Sequence, residues 1–178
     1  MSCSLRQAGL LFVTLLVVLS NVCAYAEKKS VTFTTRWGNP EVAVVTPSVF
    51  SKDHILAQWE RRDRVVSSDA EWDGTEAVYF EQTDEVAGSG VVSGYAVLTF
   101  KDGDKAFFRI DGAYTGAYKE SGAWEGTAEG MYRFLGGTGK YTNIRGTMAG
   151  HCKGVDDLSP GKAAEGASGC TMTGEVEF

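Results

Sequence analysis

The strongest constraint on the fold is a two-residue rhythm in the middle of the chain. Lys105 to Gly112 sets Ala106, Phe108, Ile110 and Gly112 on one face and Lys105, Phe107, Arg109 and Asp111 on the other. Thr127 to Phe134 repeats it, with Ala128, Gly130, Tyr132 and Phe134 opposite Thr127, Glu129, Met131 and Arg133. One dry and one wet face is the pattern of a half-buried antiparallel strand. Gly94 to Phe100 is a further apolar run, joined to Lys105 through Lys101-Asp102-Gly103-Asp104. Asp-Gly between two such runs marks a hairpin, because both central turn residues accept positive φ. As a calcium loop the same segment lacks the further ligands of an EF-hand.

Other runs follow the same rule. Val31 to Trp37 puts Val31, Phe33, Thr35 and Trp37 on one face; Ile55 to Val66 surrounds Trp59; Glu76 to Thr83 surrounds Tyr79 and Phe80. Tyr141 to Cys152 and Gly169 to Phe178 read as the last two strands. Helical periodicity is almost absent, and β-branched and aromatic runs alternate with Gly, Asp and Ser. About eight strands with short connections suffice to close an antiparallel barrel, which removes exposed edges. Asn39 to Asp53, with Pro40 and Pro47, reads as a long loop.

The N-terminus carries Arg6, an apolar run from Ala8 to Leu19, and Ala24-Tyr25-Ala26 before Glu27. Basic, apolar and small-x-small regions in that order predict a secretory signal peptide over 1–26, cleaved after Ala26. The run falls short of the roughly 20 residues a membrane span needs, which disfavours a retained anchor. Cys23 lacks the residues expected before a lipidated cysteine. The expected mature chain, 27–178, is one domain of 152 residues with net charge −7. That balance argues against nucleic acid and against anionic lipid as partners. Its exported chain keeps two cysteines, Cys152 and Cys170, and an even count in an oxidising compartment predicts one disulfide. Zinc is the alternative because His151 adjoins Cys152, but the paired ligand spacing of a structural site is missing. No metal and no cofactor are expected.

The glycine-rich stretch Phe134-Leu-Gly-Gly-Thr-Gly-Lys-Tyr141 invites a phosphate-loop reading and fails it. The first required glycine would fall at Phe134, Tyr141 stands where a Ser or Thr must reach magnesium, and a strand follows instead of a helix. Together with Ile144-Arg145-Gly146, the stretch resembles the "F-x-GGTG-x-F/Y … G" signature of the allene oxide cyclase and dirigent superfamily. Gly94 to Gly112 is similar to the preceding hairpin in secreted bacterial members. The resemblance spans roughly Gly94 to Gly150 and implies an all-β, eight-stranded antiparallel barrel, commonly a homotrimer. It assigns no chemistry, because the motif is a turn. Gly122-Ala123-Trp124 is the G-x-W of lipocalins, but lies far too late in the chain for that family.

Small barrels either fill with side chains or hold one small ligand. Here the expected occupant is a small hydrophobic molecule, contacted by Trp59, Tyr79, Phe80, Phe100, Phe108, Tyr132 and Phe134. A filled core and a structural role in the envelope is the alternative for these aromatics. Glu81, on the face of Tyr79, is the candidate acid for a cofactor-free isomerase or cyclase, with Tyr132 as its partner across the barrel. Orientation and exclusion of water can supply most of the rate in such catalysis. Arg109 with Asp111 and Glu129 with Arg133 read as outer-face ion pairs. His54 and His151 read as surface residues, since no serine elbow accompanies them.

Overall fold

Period-two alternation becomes nine antiparallel strands in the computed structural model, which describes residues 27–36, 40–47, 51, 53–156 and 168–178. They are β1 (Lys28–Arg36), β2 (Pro40–Pro47), β3 (His54–Arg64), β4 (Glu76–Val86), β5 (Ser89–Thr99), β6 (Lys105–Tyr118), β7 (Trp124–Gly137), β8 (Arg145–Asp156) and β9 (Gly169–Glu177). The expected leader, 1–26, and Trp37 lie outside the described residues. One correction concerns Asn39 to Asp53, which contains β2 rather than a long loop. β2 is an edge strand, and Pro40 and Pro47 at its ends are tolerated there because an edge leaves N–H positions unpaired.

The strands form one sheet in the order β1-β9-β8-β7-β6-β5-β4-β3-β2. From β2 to β9 the chain is a meander of neighbours. β1 alone departs from it, pairing with β9 from Lys28 opposite Glu177 to Arg36 opposite Gly169. On its other side β1 meets the segment after β3, where Thr34 and Val66 exchange backbone hydrogen bonds of 2.9 and 2.8 Å. The sheet thus bridges back on itself at this point, and residues of β1 and β4–β9 share one buried cluster.

Half of that interior is packed solid. Trp72, from the connection between β3 and β4, is fully buried there; it stacks on Phe33 and meets Phe100 and Phe134 edge-on at 5.3 and 6.0 Å. Phe100 in turn stacks on Tyr141 at 3.8 Å. Aromatic pairs in these geometries add about 0.5–1.5 kcal/mol beyond their burial. Two ion pairs and a hydrogen bond close this end on the outside: Lys29 reaches Glu71 at 2.9 Å, Lys140 pairs with Asp102 at 3.0 Å, and the Tyr141 hydroxyl donates to Glu71 at 2.9 Å.

The glycine-rich stretch is the clasp of this end. A single 3-10 turn, Gly139–Tyr141, follows β7, where the sequence alone suggested none. Thr138 Oγ1 accepts the Lys105 N–H at 2.8 Å, and Asp104 accepts the Lys140 N–H at 3.1 Å. The loop therefore seats on the Asp102-Gly103 hairpin, whose Gly103 adopts φ +89° as the turn requires.

Candidate functional site

The other half of the interior is hollow, and β4 explains how. Its inward positions are Ala77, Tyr79, Glu81, Thr83 and Glu85. In register, the β5 residues beside Glu81 and Glu85 are Gly94 and Gly90, which put no side chain into the space next to either carboxylate. Farther round the sheet, Gly116 and Gly126 make room for the Trp124 indole, which a Cβ at either position would strike; Gly150 does the same for the Tyr132 ring. Two large rings lie down over glycines, and a cavity of about 90 Å³, partly open to solvent, remains beside them.

Its walls are Trp59, Val92, Tyr114, Trp124, Ala128 and Tyr132, with Thr83 and the Cys152–Cys170 disulfide. Arg61, Glu81 and Glu85 supply the charge. A recess of about 20 Å³ is lined by Thr35, Arg61, Asp63, Tyr79, Glu81, Tyr132, Cys170 and Met172. The disulfide joins directly paired residues of β8 and β9, as the cysteine count predicted.

Glu81 faces Arg61, whose Nε lies 3.6 Å from its Oε2; their side chains are 13% and 14% exposed. Glu85 is more deeply placed, at 6% exposure. It accepts from Tyr114 at 2.9 Å, from Tyr118 at 2.7 Å and from the Gly88 N–H at 3.2 Å. Such donors are what a buried carboxylate requires. Burial, then Glu85, pushes the Tyr114 hydroxyl well above its ordinary range. Tyr132 is raised by burial first and by the Glu81 charge second, with Arg61 opposing. Tyr79 is raised chiefly by burial; Thr35 approaches its hydroxyl, but among the described residues no group reaches hydrogen-bonding geometry with the Tyr79 oxygen. These phenols stay neutral at physiological pH, and Tyr114 donates its proton to Glu85.

Of the residues expected at a site, Trp59, Glu81 and Tyr132 line the cavity and Tyr79 the recess. Phe100, Phe108 and Phe134 do not. They are packed in the solid half, Phe108 edge-on to Tyr79, Tyr132 and Phe134. Phe80 is corrected to the outer face, 46% exposed, because neighbours on a strand point to opposite sides. Sequence reasoning missed Arg61, Glu85, Tyr114 and Trp124. Glu85 carried a usable signal, since it continues the two-residue spacing from Tyr79 and Glu81.

The outer-face pairs are mixed. Arg109 forms two bonds of 2.8 Å to Asp111 as expected, whereas Glu129 contacts His151 at 3.5 Å. His54 pairs with Asp84 at 2.7 Å. Among the described residues no group of three or more His, Cys, Asp or Glu is arranged to hold a metal, and no helix is long and apolar enough to cross a membrane.

No protein-family model matches the chain, and no curated protein sequence matches it significantly. Among solved structures, it is similar to a pterocarpan synthase dirigent protein at 12% identity and TM-score 0.46, with 85% of each chain covered. A conserved protein of unknown function from Rhodopseudomonas palustris is similar at 8% identity and TM-score 0.42, over 86% of this chain and 98% of that one.

Proposed function

We propose that the chain is an exported β-barrel of the allene oxide cyclase and dirigent type that binds one small organic molecule with an apolar body. The observation that carries this reading is the cavity itself: four aromatic side chains, Trp59, Tyr114, Trp124 and Tyr132, around an opening beside Glu81. A largely apolar concavity with a few convergent polar groups is the usual form of a ligand site. The Thr34–Val66 bridge supports closure of the sheet into a barrel. Two tryptophans in the wall provide the test. Titration with a neutral aromatic probe, p-cresol, should change their fluorescence saturably, and Ala128→Phe, which fills the cavity, should abolish the change without lowering Tm. Binding that persists in Ala128→Phe, or no saturable binding at all, overturns the reading.

A second reading, a cofactor-free isomerase or cyclase, draws support from Glu81 and the buried Tyr132 hydroxyl bordering one cavity. A ligand recovered from the natively produced protein should then be converted by wild type and not by Glu81→Gln; conversion at equal rates removes Glu81 from the chemistry. Assembly as a homotrimer belongs to the same proposal. Exposed Val44, Leu56, Phe80, Val91 and Tyr95 on the outer face support association between copies. A monomer mass by light scattering would refute it.

A further inference from the structure

We infer that the molecule taken into the cavity carries a positive charge: a small organic ammonium compound whose cationic end sits among the aromatic rings. The inference rests on the cavity being a ligand site. The inward face of β3 and β4 brings two carboxylates, Glu81 and Glu85, to the cavity against one guanidinium, Arg61. The remaining described wall residues are uncharged. Within this group Arg61 opposes Glu81, but Glu85 makes no ion pair among the described residues; two phenols and one backbone N–H hold it. Those donors satisfy its oxygens and leave its negative charge uncompensated.

A buried charge without a counter-charge is costly, and a cation brought by a ligand would relieve that cost. The walls suit such a ligand. Trp124 and Tyr114 stand edge to face at 5.8 Å, and Trp59 and Tyr132 complete the aromatic lining. The faces of such rings attract ammonium groups, most strongly where water is excluded. The buried Tyr79 oxygen in the recess, without a hydrogen-bond partner among the described residues, is a second point of attachment, open to a hydroxyl or N–H on the ligand. An anionic ligand would instead meet an excess of like charge.

The test compares choline with its uncharged isostere 3,3-dimethylbutan-1-ol by tryptophan fluorescence and calorimetry on the purified protein. Choline should bind at least tenfold more tightly than the isostere. Glu85→Gln should remove that preference, and Arg61→Met should strengthen it, opposite shifts that general damage to the cavity does not produce. If Glu85→Gln does not fold, Glu81→Gln carries the same expectation. Equal binding of the two probes, or tighter binding of the isostere, overturns the charge inference; p-cresol binding then still supports the cavity as a site. If choline and p-cresol both fail to bind, the ligand-site reading falls with it.

Discussion

The Trp124 indole N–H donates to the Gly88 carbonyl at 2.6 Å, tying the first residue of β7 to the turn between β4 and β5. The turn needs positive φ at Ala87 and Gly88, and Gly88 also donates to Glu85. One turn therefore positions a wall ring and a buried carboxylate together. Trp124→Phe keeps an apolar ring but leaves a buried carbonyl unpaired, which costs about 1–3 kcal/mol. Urea denaturation should show a loss in that range; an unchanged midpoint would mean the bond contributes nothing net.

The disulfide links residues 18 apart in sequence that face each other on β8 and β9. Closing a loop of this size stabilises the fold by about 3 kcal/mol, mainly through the unfolded chain. The double variant Cys152→Ala, Cys170→Ala should lose about that much in chemical denaturation. Peptide mapping of wild type without reductant should recover the two cysteines joined.

Acid stability should depend on the closed end. Burial pushes the Glu71 carboxyl up, but hydrogen bonds from Lys29, Tyr141 and Lys140 outweigh it and hold the group below its ordinary 4.5. Asp69 is held below 3.8, chiefly by the bond from Lys29. A carboxyl depressed in the folded state stabilises above its unfolded value and loses that contribution as pH falls through its folded one. Tm should therefore fall as pH drops below about 4.5, and fall less steeply in Glu71→Gln. Parallel slopes for the two proteins would show that Glu71 does not contribute.

Gly137→Val should destabilise for a reason the sequence did not supply. Gly136 and Gly139 have positive φ, so conformational freedom matters there. Gly137 is different: a Cβ would run into the Lys105 carbonyl and press on Tyr141. Overpacking at such a contact costs about 1–3 kcal/mol. Thermal melting should show it, while Gly103→Ala, with open space around its Cβ position, should show only the smaller strain of its turn.

What the sequence determined by itself was local. Alternation at Lys105 to Gly112 and Thr127 to Phe134 named the inward faces, Asp102-Gly103 named a hairpin, and an even cysteine count in a chain read as exported named the bridge. Each follows from neighbours on one strand or from simple counting. β2 escaped because its prolines read as loop, and an edge strand tolerates them. Where the interior is solid and where it is hollow depended on registers between strands, which set Gly94 and Gly90 beside Glu81 and Glu85. It depended also on Trp72, carried in from a connection to fill one half. Tyr79 and Phe80 show the limit within a single run: alternation says that one points inward and one outward, and only packing against Phe108 and Arg61's strand decides which. A cavity is the space that many distant side chains leave unfilled, so only the assembled sheet could place it.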